Sequence, residues 1–239
     1  MRVRIRFTKT GKVRFTSHRD VARMWERALR KAELPVAYTE GFSPRPKLHF
    51  GLALSTGHES EAEYVDADLL GEVDLVGLPA RATAALPDGL LVTGAMVIPP
   101  GTPSLQEDVV ATRWLFVLDD VTHEDAQEAV ATALAAPTLV LTRARKGESR
   151  SDDVRPAIEA LIVAAIPDGV QLDATLATQP RGLRPVELLA AVFPRHPEPE
   201  HLWRRVLRVQ QFIERDGSRR ELSPLAAAPA PHASEPACA

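Results

Sequence analysis

Between Arg2 and Phe7 apolar and basic residues alternate without a break, Val3, Ile5 and Phe7 against Arg2, Arg4 and Arg6. From His18 the period lengthens to that of a helix, and arginines again fall on one side. Period two marks a half-buried strand, and a period near 3.6 marks an amphipathic helix. The two in succession call for a fold in which a helix packs its apolar stripe on a sheet. Ser17 reads as the N-cap and Asp20 takes the acidic capping-box position three residues on. The helix is expected from about His18 to Glu33, before Pro35. At ~100° per residue Val21, Trp25, Ala28, Leu29 and Ala32 share one face, and Arg19, Arg23, Arg27 and Arg30 share the opposite one. Between strand and helix, Thr8–Lys12 reads as a turn and Val13–Phe15 as the second strand of a hairpin with a basic outward face.

Charge is distributed unevenly. Residues 2–51 carry thirteen basic and four acidic side chains, a net of +9, and the rest of the chain nets −12, so the formal total of −3 hides the division. A basic region on an otherwise acidic chain points to a polyanion, with RNA the first candidate. Within it, Tyr38–Gly51 (YTEGFSPRPKLHFG) holds Pro44 and Pro46 around Arg45. Proline fixes φ, so Arg45 and Lys47 are presented at low entropic cost, with Phe42 and His49 as stacking candidates. His18 and His49 are also the candidates for a catalytic role. After Gly51 the sign inverts: residues 51–110 hold ten acids and one base, Arg81. Glu59–Leu70 reads as a strand. Glu59, Glu63 and Asp66 are weak candidates for a metal, and a solvated edge or a counter-charge to the basic face is the plainer reading.

The order of elements predicts an α+β fold of two ferredoxin-like β-α-β units with antiparallel or mixed sheets. One unit spans 1–100 and the second 104–215, joined by Pro99–Pro103; an Ala/Pro-rich tail, 223–239, is expected to be disordered. In the first unit a helix is expected over 74–85 and a strand over 90–98. In the second, strands are expected at 111–118, 138–143 and 170–177, with helices at 123–135, after Pro156, and at 186–193. The stretch 196–213 reads as a terminal helix or a strand. The second unit adds candidate phosphate contacts at Arg145, Lys146, Arg155 and Arg184, the last two preceding a proline that opens a helix.

Three stretches, RFTKTGKVRFTSHRDVARMWERALRKAELP, YTEGFSPRPKLHFG and LALSTGHESEAEYVDADL, resemble the radical SAM-linked protein family, whose domain is fused behind a radical SAM enzyme or encoded apart from it. The resemblance runs to about Val192 and is strongest from Arg4 to Asp68; the RKG and LRP stretches share it. It implies a radical SAM enzyme as partner. Members tend to keep acids at the Glu59, Glu63 and Asp66 positions and commonly carry histidine at the Arg45 position, which weighs against catalysis there.

The chain has no Cys-x3-Cys-x2-Cys set, its one cysteine being Cys238. It also lacks a P-loop, a Gly-x-Gly-x-x-Gly loop and a Gly-x-Ser-x-Gly elbow. No membrane-length apolar run or apolar leader is present. The expectation is a cytoplasmic accessory protein without a cofactor of its own. It would hold structured RNA, tRNA or rRNA, for a radical SAM enzyme through Arg4, Arg6, Arg14, Arg19, Arg23, Arg27, Arg30, Arg45 and Lys47, with no DNA preference inferable. Two alternatives stand beside it. One is an RNA-modifying enzyme using His18, His49 and carboxylates near Glu63 and Asp66. The other is a module that docks only on protein.

Overall fold

The computed structural model describes residues 1–145 and 148–222; Lys146 and the expected tail lie outside them. The chain is a mixed α+β protein. Its strands and helices follow in the order β1 (Arg2–Lys9), α1 (His18–Lys31), β2 (Leu48–Phe50), β3 (Glu59–Asp68), α2 (Leu78–Ala85), β4 (Val92–Ile98), α3 (Leu105–Asp108), β5 (Val109–Leu118), α4 (His123–Ala135), β6 (Val140–Arg145), β7 (Glu148–Asp153), β8 (Ile158–Ile166), β9 (Gly169–Ala177), α5 (Pro185–Val192), β10 (Trp203–Arg215) and β11 (Ser218–Glu221). Nine strands form one sheet with the spine β4-β1-β3-β10-β5-β9-β8, β2 adding to β3 and β11 to β10. β6 and β7 pair as a separate hairpin.

The first-half strands meet those of the second half where β10 runs parallel to β3 through two residue pairs, Leu207 with Glu59 and Arg208 with Ser60. Paired residues share a sheet face. Phe7 pairs with Glu63, Glu63 binds Arg208, and Arg208 pairs with Trp114. The α1/α2 core and the α4/α5 core are therefore on the same face. The first gathers Val3, Ile5 and Phe7 with Val21, Trp25 and Leu29. The second gathers Trp114, Phe116 and Leu172 with Ala126, Val130, Leu188 and Leu189. A smaller cluster, including Ala62, Tyr64, Leu105 and Leu222, closes part of the opposite face.

Two expectations are corrected. Val13–Phe15 belongs to a 3-10 turn, Gly11–Phe15, and not to a hairpin strand; Gly11, at φ +65°, turns the chain away from the sheet. The stretch after Pro156 is a strand, β8. Its sequence IEALIVAAI is rich in β-branched residues, and Pro156 opens only a 3-10 turn, Arg155–Ala157. Of the two readings left open for 196–213 the strand is the one observed: β10 runs in the middle of the sheet.

Candidate nucleic-acid interface

α1 is built as its sequence dictates. The Ser17 hydroxyl accepts from the Asp20 amide at 3.2 Å and donates to the Asp20 carboxylate at 2.7 Å. That hydrogen bond holds the Asp20 carboxyl below its ordinary range. Trp25 is fully buried, edge-on to Phe7 with centroids 5.0 Å apart. Packing one stripe inward leaves Arg19, Arg23, Arg27 and Arg30 exposed on the other. Among the described residues the only carboxylate within ion-pair reach of this row is Asp20, 3.5 Å from Arg23. The row is therefore free to meet an external anion.

The proline-bearing loop is a finger. The Thr39 amide donates to the Arg45 carbonyl at 2.9 Å, the Lys47 amide donates to the Ala37 carbonyl at 2.8 Å, and Tyr38 bridges Pro46. Gly41, at φ +117°, makes the reversal at the tip. Arg45 and Lys47 are exposed, and Phe42 projects entirely into solvent with Tyr38 partly exposed behind it. The finger starts at the end of β3 to which α1 brings its C-terminus, since Val36 bridges Leu69. At the other end of α1, Arg14 lies 4.5 Å over the ring of Phe15, which is itself largely exposed. Guanidinium and ammonium groups with solvent-facing aromatic rings between them can hold phosphates and stack bases. Phe15 was hidden in the sequence by its apparent place in a strand.

The arginines of β1 have another fate. β3 lies antiparallel beside β1 and sets Asp68 across from Arg2 and Asp66 across from Arg4. Arg4 is 3% exposed, and its Nε and Nη2 donate to both oxygens of Asp66 at 2.8 and 2.9 Å. Arg4 is withdrawn from the interface because its charge is spent inside the protein. Arg6 is half-buried, with Nη2 3.3 Å from Glu221. Glu59 pairs with Arg205 at 2.6 Å, and Glu63 with Arg208, which is 1% exposed. The candidate metal ligands Glu59, Glu63 and Asp66 are thus counter-ions to arginines. Among the described residues no cluster of three or more His, Cys, Asp or Glu side chains is placed to hold a metal.

The catalytic candidates are not brought together. His18 is exposed and meets the edge of Phe50 at 5.3 Å. His49, the preceding residue on β2, points to the opposite face, its Nε2 3.3 Å from Asp68 and 3.4 Å from Arg2. The Arg2 hydrogen bond, opposed by burial and aided by His49, holds the Asp68 carboxyl below its ordinary value. Glu63, across from Phe7, and Asp66, across from Arg4, are likewise on opposite faces of β3.

The second-half candidates divide as well. Arg155 is an internal tie, donating to the Ile158 and Leu134 carbonyls at 3.0 and 3.1 Å. Arg184 caps α5 and binds Glu187 at 2.6 Å. Arg145 ends β6. Where the two halves meet, a buried polar set escaped the sequence reading. Lys9 is 2% exposed and donates to the Thr16 carbonyl at 2.9 Å; Arg208 reaches Glu63 and the Leu52 carbonyl; His58 lies between Trp114 and Trp203. Burial pushes both the Lys9 amine and the His58 imidazole below their ordinary values. Lys9 and Glu63 face the same side as Trp25, and no alternation rule reveals that β10 will lie beside them.

The family model for an uncharacterized protein conserved in bacteria (DUF2344) matches residues 2–185. The chain belongs to that family. The DUF2344 match takes in α1, the finger and the whole of β3, and stops before β10 and its arginines. No curated protein matches the chain. Among solved structures it is similar to a chain in a crystal structure of a Cbf5-Nop10-Gar1 complex, at 10% identity and a TM-score of 0.49, over 87% of this chain and 48% of that one. It spans about half the length of that chain. No described helix is long and apolar enough to cross a membrane.

Proposed function

We propose that this chain is a cytoplasmic accessory protein that holds structured RNA, a tRNA or an rRNA, for a radical SAM enzyme. The observation that carries the RNA reading is the arginine row of α1. It stands exposed and nearly free of carboxylates, flanked by Phe15 at one end and by a finger bearing Arg45, Lys47, Tyr38 and Phe42 at the other. Contacts of this kind grip phosphates and position a substrate more than they read its sequence. The resemblance to the radical SAM-linked family, which runs to about Val192 and is strongest from Arg4 to Asp68, supports the choice of partner.

The test measures the affinity of the intact chain for tRNA and rRNA fragments over a range of salt. Arg23→Ala/Arg27→Ala/Arg30→Ala is expected to weaken binding at low salt and to flatten the salt dependence by about two to three powers of salt concentration. Unchanged affinity in this variant sinks the RNA reading. Purification from the native cells with and without nuclease tests the partner: a radical SAM enzyme retained regardless of nuclease, with no RNA, makes the basic face a protein-docking surface. His18→Ala and His49→Ala are expected to leave turnover by the reconstituted pair intact, and loss of turnover would favour the enzyme alternative.

A further inference from the structure

A second basic feature lies on the face of the sheet away from α1, where the two halves meet. A cleft of about 530 Å³ opens between Arg14 and Glu59 of the first half and Arg204, Arg205 and Asp168 of the second, with Val117 and Ile166 as its apolar lining. Its volume lies in the range of small-molecule sites. Glu59 organises it. The Glu59 side chain is only 9% exposed. One oxygen accepts from the Gly11 amide at 2.8 Å and lies 3.5 Å from Arg14 Nη1; the other accepts from Arg205 Nε at 2.6 Å. One buried carboxylate therefore tethers a guanidinium from each half at the cleft. Arg204 is held there by the Asp168 carbonyl at 2.9 Å.

These bonds leave donors over. Among the described residues, Arg205 Nη1 and Nη2 and Arg14 Nη2 have no protein acceptor. Pre-oriented guanidinium forks match the paired oxygens of a phosphate or a carboxylate. The five charged lining groups, Arg14, Arg204, Arg205, Glu59 and Asp168, net +1, so an acidic residue, Asp168, stands among the guanidinium groups of the lining. A nucleotide answers that group, because a ribose hydroxyl or a base amino group donates to a carboxylate. We propose that this cleft binds a nucleotide through its phosphate monoester, the phosphate on Arg14 and Arg205 and the sugar or base toward Asp168. The choice of a nucleotide among phosphate monoesters rests on the RNA reading above, and the ligand is either the phosphorylated end of a bound RNA or a free nucleotide. Arg14 links the two sites, since its guanidinium also lies over the exposed ring of Phe15 beside α1.

The experiment is calorimetric titration of the intact chain with adenosine 5′-monophosphate, with adenosine, and with one single-stranded oligoribonucleotide bearing either a 5′-phosphate or a 5′-hydroxyl. The phosphorylated member of each pair is expected to bind about tenfold more tightly. Arg205→Ala is expected to abolish that preference; Arg205→Lys, which keeps the charge and loses the fork, tests the same point should the alanine variant fail to fold. Arg23→Ala/Arg27→Ala/Arg30→Ala is expected to weaken both oligonucleotides equally and to leave the preference intact. A preference shown only by the oligonucleotide identifies an RNA end as the ligand. A preference for the monophosphate with no oligonucleotide binding identifies a free nucleotide and removes the RNA reading. Equal binding of both oligonucleotides, with adenosine 5′-monophosphate no better than adenosine, overturns this inference and leaves the RNA reading standing.

Discussion

The arginines of β1 and those of α1 come from the same thirty residues and follow equally regular periods, yet they do opposite things. Those of β1 face β3, which sets Asp68 and Asp66 directly across from Arg2 and Arg4. Those of α1 face away from the sheet, and among the described residues the one carboxylate they meet is Asp20. The difference lies in what each element's second face touches. A helix on the surface of a sheet has one covered stripe and one bare one, whereas a strand inside a sheet can be covered on both faces. Basic periodicity alone therefore does not make a binding surface; the missing piece is whether a later segment brings carboxylates into register. Here the acidic run 59–68 is that segment for Arg2 and Arg4, Arg6 reaching Glu221 of β11 instead, and α1 is left bare.

Breaking an internal pair gives the largest expected effect. Arg4→Ala leaves Asp66 buried without its guanidinium, while Asp108 keeps Arg215. A loss of roughly 3–5 kcal/mol is expected, read as a fall in the urea midpoint. A loss below about 1 kcal/mol would mean that Arg4 is no more internal than the α1 row. The reverse pattern is expected of Arg23→Ala/Arg27→Ala/Arg30→Ala: unfolding free energy within about 0.5 kcal/mol of wild type per site, with RNA affinity at low salt down by ten- to a hundredfold, about 1.4–2.8 kcal/mol. Should this variant lose stability and keep affinity, the contrast between the two elements is inverted.

How much of this was legible follows from the same contrast. Local rules placed α1 through the Ser17 cap and the Trp25 stripe. They placed α4 through Thr122, whose hydroxyl accepts from the Asp125 amide at 3.1 Å, and β1 through its alternation. They failed where tertiary partners decide. β8 read as a helix because Pro156 suits a first turn, but its β-branched run pairs with β9. The cleft arginines Arg204 and Arg205 sit at the start of β10, which shows no clean period because both its edges and both its faces meet other groups. The finger and the α1 row, by contrast, were visible because exposure requires no partner. Glu59, Glu63 and Asp66 looked like ligands for the reason that makes them counter-ions: each is a carboxylate held in a fixed place.

A smaller effect tests the platform on which the exposed arginines stand. Ser17→Ala removes the cap hydrogen bonds to Asp20 and is expected to cost about 1 kcal/mol, again by urea unfolding. Because the cap orders the first turn, where Arg19 sits, a modest loss of RNA affinity should accompany it. If affinity falls as far as in the triple arginine variant, the geometry of α1 matters more than its charge.

The smallest effect concerns the edge of the β1 set, where Arg2 and His49 share Asp68 and exposure screens the charges. The Asp68 carboxyl is depressed in the folded chain, chiefly by the Arg2 hydrogen bond. A depressed carboxyl binds fewer protons folded than unfolded, so its contribution is present above the unfolded value near pH 4 and is lost as pH falls through the folded one. Asp68→Asn is therefore expected to lower stability near pH 7 by under about 1 kcal/mol, with the difference from wild type closing as the pH is taken down toward about 2. Paired urea titrations at the two pH values measure it. A difference that persists in acid would mean that Asp68 acts through packing and not through charge. The pairing of β1 with β3 would then owe less to its arginines than the register across Arg2 and Arg4 suggests.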